Sequence, residues 1–460
     1  MIAVAVTIAA AVALGWPLVA RSDAAPSAAI RIGTAFLLGT GLIAFAMFML
    51  SVLGIGWSRV SLLTALVVLL ALLMAASRKR SRATKPEEEN PVRGFSLFSA
   101  IADLVTATLV MGHGLYATAA APFETDFLSI WGLKGRVFFE HGGVDWPFLA
   151  SPWNFFSHAD YPLLLPLLYD AVAVLGGGWN DRWLGILTTA FGAAGLLAVR
   201  GLLARELTPR YAALITLTLA SLVLSPWIGM AEAPLIAYGT VALLFVRRGA
   251  TLSMEKMRGD ELQLGALLLA CAAMTKNEGM TLTVAAAAGV LVATGRARGS
   301  LVWRLWPAFA ASVAWWLVTL MFRLENDLTA GSPFERILNA DLGQLANLLW
   351  THGGGAVPWM GLGLAALVAL PELLRRERFL LTAVVVQLGF YLAAYVITPN
   401  GMEWQVRWSW ARLITHLLPL VTLAFLISLS RILDRKRDDN RSGESGVIAV
   451  PITDGVIGGH

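Results

Sequence analysis

The chain has little charge, one cysteine and few histidines, and each shortage excludes a class of protein or site. Of its 460 residues 57% are hydrophobic and only 14% are charged, against about 25% charged in a typical soluble domain. That apolar surplus cannot be buried in one or two globular cores, which excludes soluble, disordered and fibrous proteins. The single cysteine, Cys271, excludes a disulfide framework and a cysteine-based metal cluster. The 6 histidines show no HxxxH or HxH spacing, which argues against a histidine-rich metal site.

The chain instead contains many long runs of apolar residues. They recur along nearly the whole chain, and most have the length of about 18–25 residues that crosses a bilayer. Mean hydropathy is +0.69. We therefore predict an all-α polytopic membrane protein. The apolar segments lie near 2–20, 32–55, 59–77, 97–120, 162–178, 183–203, 211–225, 228–246, 261–275, 279–295, 302–323, 356–374, 379–398 and 412–431.

Loops rich in Lys and Arg indicate which ends of these segments face the cytoplasm. The clearest basic loop lies between Ser77 and Arg93. If all basic loops are inside, the loops 121–161, 225–232, 275–279, 324–355 and 399–411 are outside. The segment 162–178 contains two prolines and ends in three glycines, which favours a partial or re-entrant element. About 13 crossings follow, with the N-terminus outside and the C-terminus inside.

The same pattern divides the chain into four parts. Residues 1–77 form three N-terminal spans to which no role is assigned, and residues 78–96 form a basic cytoplasmic linker. Residues 97–432 form the main membrane domain, and the polar tail 433–460 is expected to be disordered. Two outer stretches, 126–139 and 332–350, have amphipathic spacing typical of helices that lie at the membrane interface.

The long outer loop holds the first candidate site residues, Glu124 and Asp126. A carboxylate at the start of a helix is stabilised in its ionised form by the helix dipole. It can then accept a proton from a hydroxyl nucleophile or hold a metal ion. The alternative is that both are ordinary solvated loop charges.

Further unusual charges occur in three other outer loops. Lys276 and Glu278 lie in the tight turn TKNEG, where a charge close to hydrocarbon must be paired or hydrated. Glu232 is the only charge in the loop SPWIGMAEAP. Arg407 and Arg412 lie among tryptophans and need an anionic partner, which is either Glu403 or a lipid phosphate. Each feature alone also fits a loop ion pair or an aromatic belt, but the topology puts all of them on one side.

Several runs together resemble the bacterial GT-C glycosyltransferases, especially the enzymes related to protein O-mannosyltransferases (glycosyltransferase family 39) and to the aminoarabinose transferase of lipid A. The resemblance covers roughly residues 97–430. It depends on the runs ETDFLSIWGLKGRVFFEHGG, HADYPLLLPLLYDAVAVLGGGWNDRW, GMAEAPLIAY, AAMTKNEGM and WSWARLITHLLP.

The resemblance implies a function and assigns roles to the candidates. A sugar carried on a polyprenyl phosphate would be transferred, with inversion, to a hydroxyl of an envelope lipid, glycan or protein at the outer face of the bacterial inner membrane. Asp126 would be the catalytic base, with Glu124 as its helper or substitute. Divalent-cation dependence varies among such enzymes, so a metal cofactor stays open and no metal ligand is assigned. The residues implied in substrate binding are His158, Tyr161, Glu232, Lys276, Glu278, Arg407 and Arg412.

Two other functions compete with glycosyl transfer. A transporter or flippase for a lipid-linked or small anionic substrate would place ionisable groups within the spans, and Asp170 is one such group. A non-catalytic membrane scaffold would not need Asp126. The small net charge of +5 is explained by basic cytoplasmic loops, so nucleic acid is not an expected partner.

Overall fold

The chain is an all-helical multi-pass membrane protein. A computed structural model describes residues 1–79, 96–120, 122, 124–252, 255–326, 331–352, 367 and 369–445, and these residues contain no strand. Eight helices in this part of the chain are long and apolar enough to cross a bilayer. The predicted helical membrane class is therefore confirmed, whereas the predicted count of thirteen crossings is not.

The principal helices follow the apolar segments of the sequence. Four short elements lie between them: a π-helix at Phe127–Trp131, 3-10 helices at Pro152–Ser157 and Arg296–Leu305, and a five-residue helix at Trp146–Ala150. The helices are α1 (Ile2–Val19), α2 (Ala28–Val52), α3 (Arg59–Lys79), α4 (Leu97–Ala119), α5 (Gly132–His141), α6 (Trp146–Ala150), α7 (Leu164–Gly176), α8 (Asp181–Leu203), α9 (Pro209–Val223), α10 (Glu232–Thr251), α11 (Glu255–Ala273), α12 (Asn277–Thr294), α13 (Trp306–Phe322), α14 (Pro333–Leu338), α15 (Leu342–His352), α16 (Arg378–Ile397) and α17 (Met402–Ser445).

The bundle has two ends, which differ in their charges. We call the end that holds the loop 124–163 the upper end, and the end that holds Arg200 and Arg248 the lower end. Buried ion pairs join several helices at the lower end. Glu206, in the loop after α8, contacts Arg247 and Arg248 of α10 at 2.9 and 2.7 Å and Arg431 of α17 at 3.0 Å.

Helix α7 is a partial element, as its proline and glycine content predicts. Its 13 residues span about 20 Å, which is too short for the hydrocarbon core. Both of its ends lie at the upper end of the bundle. The amide of Leu164 donates to the carbonyl of Met274 at 3.0 Å, and Arg59, where α3 begins, donates to the carbonyl of Val174 at 3.4 Å.

The three N-terminal helices belong to the same core as the later ones. Gly39 of α2 lies so close to α1 that a Cβ there would be 1.7 Å from the carbonyl oxygen of Ala11. The hydroxyl of Thr40 contacts the hydroxyl of Tyr238 on α10 at 2.6 Å, and the ring of Phe36 packs edge-on against Phe191 of α8. Helix α2, with α1 against it, is therefore packed into the bundle, and α3 contributes only Leu62 and Leu66 to the core.

Three details differ from the sequence predictions. The stretch 126–139 is helical, but protein covers much of its apolar face, since Trp131 and Phe138 are fully buried. The stretch 332–350 forms two helices, α14 and α15, where one was predicted. The expected tail begins as helix, since α17 continues to Ser445. Arg435 of that extension is paired with Glu372 at 2.9 Å.

Two predicted segments lie wholly or largely outside the described residues. They are the basic linker 78–96 and the apolar segment 356–374. The final residues of the predicted tail, 446–460, also lie outside them.

Candidate functional site

Five charged side chains from four distant segments meet at the upper end. They are Asp126, Glu232, Lys276, Glu278 and Arg412, and we call them the charge cluster. Asp126 directly precedes the π-helix Phe127–Trp131, a distortion that is frequent at functional sites. Its carboxylate forms an ion pair with the guanidinium of Arg412, and both side chains are about one-fifth exposed.

Glu232 lies at the centre of the charge cluster. It is the first residue of α10 and is completely buried, where the helix dipole favours a negative charge. Its Oε1 lies 3.2 Å from Nζ of Lys276 and 3.7 Å from Nη1 of Arg412. One carboxylate oxygen is therefore shared by the two cations of the cluster.

Lys276 connects two of the three carboxylates. Its Nζ is 3.2 Å from Glu232 and 3.2 Å from Glu278. Burial by itself would lower the pKa of Lys276, but the charges of Glu232 and Glu278 outweigh burial and hold that pKa above its ordinary value. The lysine is therefore a cation, and with Arg412 it faces three carboxylates, so the cluster carries a net charge of −1.

The turn between α11 and α12 sets the position of Lys276 and Glu278. Gly279 lies so close to α11 that a Cβ would be 1.9 Å from the carbonyl oxygen of Ala272. Only a residue without a side chain permits this approach. The side chain of Gln387 on α16 donates to the carbonyl of Glu278 at 3.0 Å and so supports the turn from the other side.

Aromatic rings and a second lysine form one wall of the cluster. The ring of Tyr161 stacks on Trp131 and on His158, with centroids 5.5 and 4.7 Å apart. Nζ of Lys276 lies 6.0 Å from the Tyr161 ring. Lys134 of α5 is completely buried and donates to the carbonyl of His158 at 2.5 Å. This bond links α5 to the C-terminal part of the loop, which carries Tyr161.

Asp160 attaches that part of the loop to the turn that holds Lys276. Its Oδ2 accepts from the side-chain amides of Asn277 and Asn326 at 2.6 and 2.7 Å. Its backbone carbonyl accepts from the indole of Trp315 at 2.6 Å. The loop and the turn are thus held together next to the charge cluster.

Two predicted site residues lie apart from the charge cluster. Glu124 is half-buried, two residues before Asp126, and forms no ion pair in the described part of the chain. Arg407 lies five residues before Arg412 on α17 but is exposed, and it too forms no ion pair among the described residues. The structure brings together Asp126, Glu232, Lys276, Glu278 and Arg412, with Tyr161 and His158 beside them.

The sequence reasoning missed several polar side chains near the site. Lys134 and Asp160 are two of several charges in the stretch 124–161, and nothing in the sequence shows that they are buried. Tyr391 and His416, whose hydroxyl and Nδ1 are 3.1 Å apart, lie within apolar segments. With Glu278 and Gln387 they line a cavity of about 10 Å³, which is the size of one water molecule.

The charge cluster does not fit a divalent cation in this arrangement. Each of its three carboxylates is already paired with Lys276 or Arg412, and these two cations occupy the space between the carboxylates. No group of three or more His, Cys, Asp or Glu side chains that could hold a metal ion occurs within the described residues. What the cluster offers instead is two cations next to carboxylates, at an end of the bundle.

No known family, curated protein or solved structure matches the chain.

Proposed function

We propose that the protein is a membrane glycosyltransferase of the GT-C type. It moves a sugar from a polyprenyl-phosphate donor to a hydroxyl of an envelope lipid, glycan or protein, with inversion. The observation that carries this proposal is the contact of Asp126, Glu232, Lys276, Glu278 and Arg412 in one cluster. Such a group supplies both a base for a hydroxyl and cations for a phosphate.

The proposal includes a location and an orientation. The bundle has about 13 crossings and lies in the bacterial inner membrane, with its upper end facing the periplasm. The arginines Arg247, Arg248 and Arg431 at the lower end support this orientation, because basic residues are enriched on the cytoplasmic side. The charge cluster then faces the side on which lipid-linked sugars are used.

The transfer step is a single displacement. The carboxylate of Asp126 takes the proton of the acceptor hydroxyl as its oxygen forms a bond to the anomeric carbon. The bond between that carbon and the phosphate oxygen breaks, and the electron pair leaves with the polyprenyl phosphate. Lys276 and Arg412 stabilise the charge that develops on the phosphate. Attack opposite the leaving group inverts the anomeric configuration.

The ion pairs of the cluster suggest how the base becomes available. Arg412 pairs with Asp126 in the structure, and a paired carboxylate is a weaker base than a free one. A phosphate is a strong partner for a guanidinium. We therefore expect the donor phosphate to compete for Arg412, so that Asp126 is released to accept the proton once the donor is bound.

A transporter or flippase is the second candidate, and one observation favours it. Asp170 is completely buried in the partial helix α7, and neither of its carboxylate oxygens has a hydrogen-bond partner in the described part of the chain. Buried ionisable groups on discontinuous helices are typical of transporters. Asp126, Glu232, Lys276 and Glu278, by contrast, lie at helix starts, which is the arrangement expected for an enzyme that acts at the interface.

The test compares envelope glycans and lipids, by mass spectrometry, in cells with and without the gene. Loss of a glycosyl modification is expected, and cells that carry Asp126→Asn should show the same loss with normal amounts of protein in the membrane. Removal of a general base typically costs about 10²–10⁴-fold in rate. The matched control is Glu140→Gln, which neutralises an exposed carboxylate of the same loop and should preserve the modification.

Two results would contradict the proposal. Full modification in cells with Asp126→Asn would refute the role of this residue. Accumulation of an untransported lipid-linked substrate on the cytoplasmic side, with transfer activity intact in broken membranes, would favour the transporter.

A further inference from the structure

A cavity lies at the opposite end of the bundle from the charge cluster. It has a volume of about 870 Å³ and is formed by the first turns of α11, the 3-10 helix Arg296–Leu305 and the start of α13. Known small-molecule sites fall in the range of about 300–1,000 Å³. Arg258, Asp260 and Arg304 contribute its charges, and Trp303 and Trp306 contribute aromatic rings.

The charge of this cavity favours an anion. Asp260 is its one acidic residue, and its Oδ2 accepts hydrogen bonds from the hydroxyl of Ser22 and the amide of Asp23, each at 3.1 Å. These bonds draw the carboxylate toward the α1–α2 loop. Two arginines against one engaged carboxylate leave a positive lining.

Both arginines keep hydrogen-bonding capacity for a ligand. Arg258 donates to the carbonyl of Leu252 through Nη2, and its other Nη atom is a second donor on the same guanidinium. Arg304 forms no ion pair in the described part of the chain. Its Nη1 lies 2.9 Å from where a Cβ of Gly259 would stand, so the guanidinium lies directly over the first turn of α11. Guanidinium groups with free donors are well suited to phosphate.

The surroundings of the cavity favour a lipid over a soluble anion. Trp303 and Trp306 are 81% and 61% exposed, as expected for rings at the level of lipid headgroups. From Trp306 an exposed apolar stripe continues along α13 through Val313, Leu317 and Leu320, at spacings that keep these side chains on one helix face. A headgroup in the cavity would place an acyl chain against this stripe.

We propose that this cavity binds the headgroup of an anionic phospholipid, with its phosphate between Arg258 and Arg304. Basic pockets between helices on the cytoplasmic side are known to hold such headgroups. The site is separate from the charge cluster and does not depend on glycosyl transfer. It assigns a ligand to a part of the molecule that the proposed reaction does not use.

The test measures lipid retention by the full-length protein in detergent, using native mass spectrometry. Phosphatidylglycerol and phosphatidylcholine are added separately. We expect the wild type to retain phosphatidylglycerol in preference to phosphatidylcholine. The double variant Arg258→Gln/Arg304→Gln should bind phosphatidylglycerol about 10- to 30-fold more weakly, because each basic side chain near an anionic lipid changes affinity by roughly fivefold.

Two further variants keep the test decisive. Arg304→Gln alone changes an exposed side chain without an ion pair in the described residues, so it should fold normally and weaken retention about fivefold. Arg375→Gln removes another exposed arginine of the lower end, outside the cavity, and should retain lipid as the wild type does. Equal retention of both lipids, or wild-type retention by Arg304→Gln, would overturn the proposal. Displacement of phosphatidylglycerol by millimolar inorganic phosphate would also overturn it, since the cavity would then be a site for soluble anions.

Discussion

At the scale of single residues, Lys276 determines whether the buried carboxylates of the charge cluster are tolerated. Glu232 is completely buried, and removal of one partner from a buried ion pair leaves an uncompensated charge that costs about 3–5 kcal/mol. We therefore predict that Lys276→Met lowers stability by an amount of this order. Thermal unfolding of the protein in detergent measures the effect.

The matched control for Lys276→Met replaces the cation of a solvent-exposed ion pair by methionine. Arg136 and Glu140 are each 62% exposed, and such pairs contribute about 0–1 kcal/mol. Arg136→Met should therefore leave the unfolding temperature nearly unchanged. If Lys276→Met were no more destabilising than Arg136→Met, the charge balance described for the cluster would be wrong.

Individual residues also show how far the sequence could predict the site. Asp126, Glu232, Lys276, Glu278 and Arg412 stood out because charges are rare in this chain, and because the topology puts their loops at one end. The sequence could not show that one oxygen of Glu232 is shared by two cations, since that depends on how α10, α12 and α17 pack. Lys134 looked like an ordinary loop charge, and only the fold reveals that it is buried. The catalytic roles themselves stay predictions.

At the scale of helices and loops, the turn between α11 and α12 places two residues of the charge cluster. A Cβ at Gly279 would overlap the carbonyl of Ala272, so Gly279→Ala must push the start of α12 away from α11. We predict a loss of stability of about 1–3 kcal/mol, the usual cost of overpacking. Transfer activity should fall further than stability alone explains, because Lys276 and Glu278 move away from Glu232.

The control for this turn is another helical glycine. Gly389 lies within α16, and a Cβ there would meet no atom within 4 Å. Gly389→Ala should be neutral or stabilise the protein by up to about 1 kcal/mol, as expected from helix propensity. Thermal unfolding and transfer assays on the two variants test the contrast, and similar behaviour of both would show that the close approach at Gly279 is unimportant.

The ion pairs of the lower end predict a dependence of stability on pH. Burial by itself would raise the pKa of Glu206, but the charges of Arg247, Arg248 and Arg431 and the hydrogen bond from Arg247 outweigh it and lower the pKa from 4.5 to about 2. Because the folded-state pKa is depressed, the stabilisation is complete above about pH 5 and is lost as the pH falls toward 2. The shift corresponds to a contribution on the order of 3 kcal/mol.

Thermal unfolding of the detergent-solubilised protein between pH 6 and pH 3 checks this dependence. The wild type should lose stability over this interval, and Glu206→Gln should be less stable at pH 6 but should show a flatter profile. Glu140→Gln, which changes an exposed carboxylate at the upper end, should keep the slope of the wild type. An unchanged slope in Glu206→Gln would contradict the assignment of the shift to Glu206.

The apolar periodicity predicted the positions of the helices better than it predicted whether lipid or protein covers their apolar faces. The prolines and glycines of 162–178 indicated a partial element, and α7 is one. The spacing of 126–139 correctly predicted a helix but not its burial, because an apolar face looks the same whether lipid or protein covers it. The break between α14 and α15 was missed because the apolar spacing continues across it.

At the scale of the whole molecule, the number of crossings is harder to predict than the membrane class. The high fraction of hydrophobic residues is enough by itself to predict a membrane protein. The region from α9 to α12 has shorter or more polar helices, and α9 has only 15 residues. Helices such as α10, which begins with Glu232 and ends near Arg247 and Arg248, obtain partners for their charges from neighbouring helices. These charges lower the mean hydropathy of the helix and so argue against a membrane span, although in the fold each charge is paired.

The orientation of the bundle can be tested with single cysteines. Cys271 is the only native cysteine, so Cys271→Ala provides a background without thiols. Ala150, at the end of α6, is exposed at the upper end, and Ala204, after α8, is exposed at the lower end. Substitution of either alanine by cysteine adds one small, accessible thiol. We predict that a membrane-impermeable maleimide labels Ala150→Cys in intact cells, and labels Ala204→Cys only after the membrane is opened.

The two labelling patterns have different consequences for function. The predicted pattern puts the charge cluster outside the cytoplasm, on the side on which the proposed lipid-linked sugar donor would be used, and puts the Arg258–Arg304 cavity at the inner leaflet. The opposite pattern would place Asp126 in the cytoplasm and the arginine-rich end outside, against the charge bias of membrane proteins. It would leave the stability predictions for Lys276, Glu206 and Gly279 unchanged, because these depend on ion pairs and packing within the bundle and not on its orientation. Transfer from a donor in the outer leaflet would then be ruled out.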